Sequence, residues 1–490
     1  MFIRTANDTS HDQVKILHLS DLHFSEHAYA AAKDSCHSVE HLIDLRRRIS
    51  QLQFDRAVIS GDLSDRGNLD ALLRARDFLF GQYSIGNGKK VGLELDEEIS
   101  LIVPGNHDAF NTKANGDTLT RWQNSIENYN NAFPKHILKE DGCRYSWVER
   151  EGWGVYVALA DTCFFGDPLL ERSGDSVTPF DAIAKGKLAR SQAQRLLSWY
   201  DAGMRGKLPK PGGDGLISAD LFAGSFKVLV MHHYIFEPAN CKYDYMMGLC
   251  DRHDVFRNIA MANFDVLLCG HKHVPDFGCH TYGFHLDNRG RRRYILNHFR
   301  RTIGIGSLPL QYTDGNGKKW PTYLSLGINL ILENIRSRMA ARQVDECEEL
   351  INILKEGLED SKGLRSKMKA ITESWVPKGE SQLSTHEIEE IERRLNTEFS
   401  VPERKQLAKN LADFDTIIRR LNQRQFVQVL AGSATKRPRT SDKPRSFNLH
   451  SIERNSTGYN FRSERFPWDY LSKQFVAEPE VASHSFKSAW

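Results

Sequence analysis

Arg56-Ala57-Val58-Ile59-Ser60-Gly61-Asp62-Leu63-Ser64-Asp65-Arg66-Gly67 reads as a short apolar strand that stops at a glycine, a carboxylate and a polar turn. The same pattern recurs along the chain. Val14–Ser20 leads into Asp21-Leu22-His23, and Ile99–Val103 into Gly105-Asn106-His107-Asp108. Phe226–Met231 leads into His232-His233, and Phe264–Cys269 into Gly270-His271-Lys272-His273. Between strands the spacing turns helical, as from Val39 to Leu52, where Leu42, Leu45, Ile49 and Leu52 repeat on one face. Alternating strands and helices specify a layered α/β domain. In such folds ligands bind at the carboxyl ends of the strands, so these polar motifs are expected to share one cleft. Gly61, Gly105 and Gly270 suit tight turns where backbone passes close to a site.

Carboxylate, amide oxygen and imidazole together suit first-row divalent ions with mixed nitrogen and oxygen coordination: Mn, Fe, Co, Ni or Zn. Two ions about 3.5–4 Å apart need a bridging carboxylate and roughly three further protein ligands each, a number these motifs supply.

The ordered series D-x-H, GD-x-x-D, GNH-D/E, an isolated His and GH-x-H resembles the calcineurin-like metallophosphoesterases, and every member of it is present between Asp21 and His273. The resemblance implies a four-layer α/β/β/α sandwich ending near residues 325–335. It implies one ion held by Asp21, His23, Asp62 and His273, and a second held by Asp62, Asn106, His232 and His271, with Asp62 bridging. Manganese is the first expectation. His107 matches the family's catalytic histidine, which protonates the leaving oxygen or stabilises phosphoryl charge, and Asp108 would orient its imidazole. Arg66 and the ions would neutralise the equatorial oxygens during in-line attack by a metal-bound hydroxide. Residue type does not separate His232 from His233, and the family pattern favours His232. Many phosphodiesterase members follow this pair with prolines, whereas Tyr234-Ile235-Phe236 stands here.

For substrate, the expectation is a nucleotide-type or nucleic-acid phosphodiester. Asp65-Arg66-Gly67 is shared in form with protein phosphatases, but the third motif ends in Asp108, as in many phosphodiesterases. His18-Leu19-Ser20-Asp21-Leu22-His23 and Pro275 resemble the repair-nuclease branch. The alternatives are a phosphomonoesterase of the same superfamily and a binding or assembly module on the same scaffold.

The 490 residues carry 66 Lys and Arg against 63 Asp and Glu, a net charge of +3 that argues for no polyanionic partner. With 40% hydrophobic and 26% charged residues the chain is neither collagenous nor disordered. The beginning is polar, so no secretory signal is expected. The apolar runs fall short of the ~20 residues that a membrane span needs. Eight cysteines without a C-x-x-C pair suggest reduced thiols in the cytoplasm. His18, inside the first strand, is expected to be a core residue.

Three regions are expected: a catalytic domain over 1–335, a helical appendage over 336–432, and a linker with an aromatic-rich tail over 433–490. The appendage is read from helical spacing over Val344–Leu358 and Leu407–Leu421 and from helix starts at Ser384 and Ser400. Residues 336–490 are expected to offer a surface for a protein partner or for self-association. Arg289, Arg291, Arg292, Arg293, Arg300 and Arg301, and the run Lys436-Arg437-Pro438-Arg439, are candidate phosphate or nucleic-acid contacts or solvated faces.

Overall fold

The structure, a computed structural model, describes residues 13–25, 39–85, 88–109, 118–136, 142–163, 186–236, 248–249, 255, 264–281, 311–313, 319–321, 389, 393, 397, 400–405, 425–435, 445–479 and 481–487. The expected helices over Val344–Leu358 and Leu407–Leu421 lie outside them, as do both basic clusters.

In chain order the strands of the sandwich are β1 (Gln13–Leu19), β2 (Arg56–Ile59), β3 (Ser100–Ile102), β4 (Cys143–Arg150), β5 (Trp153–Ala160), β6 (Phe226–Val230) and β7 (Val266–Cys269). They continue with β8 (Asp276–Thr281), β9 (Gln425–Leu430), β10 (Ser446–Asn455), β11 (Gly458–Asp469), β12 (Gln474–Phe475) and β13 (Ala482–Lys487). The helices are α1 (Val39–Ser50), α2 (Leu69–Phe80), α3 (Asn106–Ala109), α4 (Thr118–Ala132), α5 (Arg190–Met204) and α6 (Ala219–Ala223).

One sheet runs β12-β11-β10-β1-β2-β3, with β13 also on β11; the other runs β8-β9-β7-β6-β5-β4. β1, β2 and β3 are mutually parallel, as are β5, β6, β7 and β9. Alternation along each strand sorts its residues between two cores. Val14, Ile16, Val58 and Leu101 meet Val155, Val157, Val228, Val266 and Val427 between the sheets. On the opposite face, Leu17, Leu19 and Ile59 pack against Leu42, Leu45 and Ile49 of α1 and Leu72, Phe78 and Leu79 of α2. Phe222 of α6 packs edge-on against Tyr156 of β5. The result is the α/β/β/α sandwich.

The expected boundaries at 335 and 432 are corrected. Residues 281–424 form a separate compact unit, whereas residues from 425 onward rejoin residues up to 280. β9, placed by the sequence reading inside a helical appendage, pairs parallel with β7, with Leu268 opposite Val429. β10, placed in a tail, runs antiparallel to β1 with Leu17 opposite Leu449, and β11 lies antiparallel beside it. Seven of the tail's aromatics are core residues, while Tyr470 is exposed. Phe447, Phe466, Trp468 and Phe475 fill the helix-facing core, while Tyr459, Phe461 and Phe486 fill the space between the sheets. Within the separate unit, the helix start expected at Ser400 is present: its backbone N–H and hydroxyl both donate to the Glu403 carboxylate at 2.7 Å.

His18 is a core residue, as expected. Its Nδ1 lies 3.2 Å from His450 Nε2 and its Nε2 lies 2.9 Å from the Ser60 hydroxyl. Burial lowers the His18 pKa to about 3, against the pull of Asp21, and holds His450 well below the ordinary histidine range. Both folded-state pKa values lie below the unfolded value. The stability from keeping these rings neutral is therefore complete above about 6.5 and is lost as pH falls toward about 3. The urea midpoint is expected to fall across that window, and His450→Leu to flatten the dependence. An equally steep slope in the variant would show that the pair is not proton-linked.

Candidate metal centre

Each sequence motif occupies the carboxyl end of a strand. Asp21 and His23 follow β1, Asp62 follows β2, and Asn106 opens α3 beyond β3. His232 follows β6, and His271 and His273 follow β7. The two parallel strand sets therefore deliver their polar ends to one cleft.

The turns that do this are strained. Asp21, His23, Asp62, His271 and His273 have φ of 55°, 49°, 52°, 76° and 56°, in the left-handed region. Such conformations cost of order 1–3 kcal/mol each and persist only where surrounding structure enforces them. Here the loops brace one another: the N–H of Asp21 donates to Gly61 O (3.0 Å), that of His23 to Asp62 O (2.9 Å), and that of Phe24 to Leu63 O (2.9 Å). Gly61 has a φ of +98°, and a Cβ on Gly105 would lie 2.2 Å from both the nitrogen and Oδ1 of Asp62. Neither position has room for a side chain.

The donor atoms converge in two groups, each within 4.8 Å: Asp21, His23, Asp62 and His273, and Asp62, His232 and His271. In the first, His273 Nε2 lies 2.9 Å from His23 Nε2 and 3.1 Å from Asp21 Oδ1. In the second, Asn106 Oδ1 lies 3.0 Å from His232 Nε2 and 2.9 Å from His271 Nδ1. Asp62 turns one oxygen toward each group, Oδ2 at 3.5 Å from His23 Nε2 and Oδ1 at 3.4 Å from His232 Nε2.

This donor set fits divalent metal ions. Imidazole nitrogens, carboxylate oxygens and one amide oxygen crowd together, and buried Asp21 Oδ1 faces His273 Nε2 at 3.1 Å and His23 Nε2 at 3.9 Å. Outer partners aim the rings. His232 Nδ1 donates to Ser60 O at 2.7 Å, and His23 Nδ1 faces the Asp65 carboxylate at 3.1 Å, leaving each Nε2 directed inward.

Electrostatics agree with that arrangement. Burial alone would raise the Asp21 pKa, but the imidazoles of His273 and His232 and the Ser20 hydroxyl hold it below the ordinary value. Burial would lower His232, and the carboxylates of Asp62 and Asp21 raise it instead. Burial and the neighbouring His232 bring His271 to about 3, so its ring is neutral.

His107 sits beside this cluster, half-buried, with its ring 4.8 Å from that of His23. The expectation that Asp108 orients it is corrected. The Asp108 carboxylate accepts from the N–H groups of Leu63 (3.0 Å), Ser64 (2.8 Å) and Gly105 (2.9 Å) and from the Ser64 hydroxyl (2.9 Å). It ties the Asp62 and Asn106 loops together. Burial and nearby Asp62 raise its pKa to about 6 despite those backbone donors. His107 Nδ1 instead donates to the carbonyl of Asp65, at 2.9 Å. Asp65 thus touches two of the cleft histidines, a role missed in the sequence although it closes the GD-x-x-D motif. Arg66 follows on the same loop, half-buried, with no hydrogen bond or ion pair among the described residues. His233 joins neither group: its Nδ1 lies 2.8 Å from the Thr162 hydroxyl, and its ring packs 4.6 Å from that of His271.

The two-sheet sandwich thus presents, at its strand ends, two adjoining donor groups suited to divalent metal ions. The chain belongs to the calcineurin-like phosphoesterase family, whose model matches residues 14–275. No curated protein matches the chain. Among solved structures it is similar to a purple acid phosphatase from seeds of yellow lupin (Lupinus luteus), at 11% identity and a TM-score of 0.32. That likeness covers 54% of this chain and 38% of the lupin chain, so the chain spans well under half the length of that protein. Among the described residues, no helix is long and apolar enough to cross a membrane.

Proposed function

We propose that the chain is a dimetal phosphodiesterase acting on a nucleotide-type or nucleic-acid phosphodiester. Asp21, His23, Asp62 and His273 hold one divalent ion, and Asp62, Asn106, His232 and His271 hold the other. Manganese is the first choice among Mn, Fe, Zn, Ni and Co. The observation that carries this reading is Asp62, whose two oxygens face two separate groups of ligand atoms.

Bound there, the ions supply Lewis acidity toward phosphoryl oxygens and acidify water. The chain's own residues supply the rest. His107, with Nδ1 engaged by the Asp65 carbonyl, keeps Nε2 for the leaving oxygen and delivers its proton. Arg66 neutralises a phosphoryl oxygen. Asp108 acts through the backbone, fixing the loops that carry Asp62 and Asn106. The diester is preferred because the third motif ends in Asp108. A reducing cytoplasm suits the free thiols of Cys143, Cys163, Cys269 and Cys279.

Protein stripped of metal and refilled with manganese is expected to hydrolyse bis(p-nitrophenyl) phosphate faster than p-nitrophenyl phosphate. Faster turnover of the monoester would move the assignment to phosphomonoesterase. No turnover of either with any of the five metals would leave a binding module. His232→Ala is expected to lose about one equivalent of metal while His233→Ala keeps both. The opposite pattern would exchange their roles.

A further inference from the structure

Residues 431–435 lie beyond the family match, which ends at 275, yet they run between two of the loops that carry candidate ligands. At one end, the N–H of Ala431 donates to Cys269 O at 2.9 Å, directly before Gly270-His271-Lys272-His273. At the other, three consecutive residues engage three consecutive carbonyls of the first ligand loop. The Ser433 hydroxyl donates to Asp21 O at 2.6 Å, the Ala434 N–H to Ser20 O at 3.0 Å, and the Thr435 hydroxyl to Leu22 O. Both hydroxyl-bearing residues are buried.

The segment is itself anchored. The Ser446 N–H donates to Ser433 O at 3.0 Å, and the Arg445 guanidinium Nε donates to Thr435 O at 2.9 Å. Ser446 begins β10, so the first sheet backs the clamp. What the clamp grips is strained: Asp21 and His23 have φ of 55° and 49°. Relaxation of either residue toward ordinary backbone would turn its donor atom away from the first group. Fixing the carbonyls of Ser20, Asp21 and Leu22 opposes that relaxation. The Ser433 and Thr435 hydroxyls bond to the carbonyls of Asp21 and Leu22, on the loop that serves the first group, whereas the inward aim of His232 comes from Ser60 O.

We propose that Ser433 and Thr435 are positioning residues that set the metal affinity of the Asp21–His23–Asp62–His273 group, and not that of the Asp62–Asn106–His232–His271 group. The proposal rests on the two-metal reading above. It assigns part of the metal centre to a segment far outside the motif region.

The test is manganese binding, measured by titration calorimetry, in two single-site backgrounds. His232→Ala keeps all ligands of the first group, and His273→Ala keeps all ligands of the second. Adding Ser433→Ala with Thr435→Val to His232→Ala is expected to weaken manganese binding roughly tenfold or more, from the loss of two buried hydrogen bonds. Added to His273→Ala, the same pair is expected to change binding by less than about twofold, because the bonds lost are to the loop of Asp21 and His23, which supplies no ligand to that group. Exchanging the hydroxyl residues, Ser433→Thr with Thr435→Ser, is expected to restore binding in His232→Ala to within about threefold. If the double variant loses its cooperative melt, Ser433→Ala alone carries the test, with an expected loss of about threefold.

Unchanged affinity in His232→Ala, or equal losses in both backgrounds, would overturn the proposal while leaving the two-metal reading intact. If the unsubstituted protein binds no manganese, the two-metal reading fails and this proposal fails with it.

Discussion

Asp62→Asn is expected to lower turnover of bis(p-nitrophenyl) phosphate by about 10³-fold or more and to reduce metal content at both groups, not one. Asp62 is the only residue common to the two clusters of ligand atoms among the described residues. Its Oδ1 also accepts the N–H of His107 at 2.9 Å, which fixes the His107 backbone beside Asp62. Asparagine keeps the shape of the side chain and tolerates the left-handed φ of 52°, so the loop is expected to survive. What changes is charge, together with one acceptor that becomes a donor facing other groups. An isosteric substitution thus separates electrostatics from folding. The measurements are metal content by mass spectrometry, the thermal melt without metal, and initial rates. A variant that keeps both metals, or stays within tenfold of the unsubstituted rate, would remove Asp62 from the bridging role.

The cleft was legible in the sequence because metal ligation confines chemistry to short, local motifs. Asp21-Leu22-His23 or Gly105-Asn106-His107-Asp108 can be read without knowing what lies beside it. Two other things were not local. The choice between His232 and His233 depends on which ring faces Asp62, and residue type holds no record of direction. The role of Asp108 depends on the Leu63 and Ser64 N–H groups lying within 3.0 Å of its carboxylate, a contact made across two loops. The larger error lay in the C-terminal region. Ser446–Asn455 does alternate, with Phe447 and Leu449 facing the helices and Ile452 facing the other sheet. But its partner is β1, more than 400 residues away, where Leu17 lies opposite Leu449. A long intervening unit and a basic run made a sheet strand resemble a tail. The aromatic richness of that region was the usable signal, since large apolar side chains such as Phe447, Phe461 and Trp468 need a core to enter.

A protein ended at residue 424 is expected to lose its cooperative fold, although it retains every candidate metal ligand and the whole family match. The truncation removes β9 through β13. The seven-stranded sheet keeps only β1, β2 and β3, and the other sheet loses the strand between β7 and β8. β1 becomes an open edge, with the backbone groups from Gln13 to His18 that pair with β10 left to solvent. Phe447, Phe461, Phe466, Trp468 and Phe475 leave the two cores. At about 1.5–3 kcal/mol for each large apolar side chain removed from its burial, their loss alone rivals the ~5–15 kcal/mol that stabilises a typical domain. α1 loses a wall as well, since His41 packs against Trp468 and Phe475 with ring centroids 5.1 Å away in each case. The clamp at 431–435 goes with the strands, so the strained turn at Asp21 loses the bonds to its carbonyls. The truncated protein is expected to bind a hydrophobic dye, to elute as aggregate and to melt without a transition by circular dichroism. A soluble product with a sharp melt and two bound metals would mean that residues 14–275 fold without these strands, and that the C-terminal residues decorate the sandwich and do not complete it.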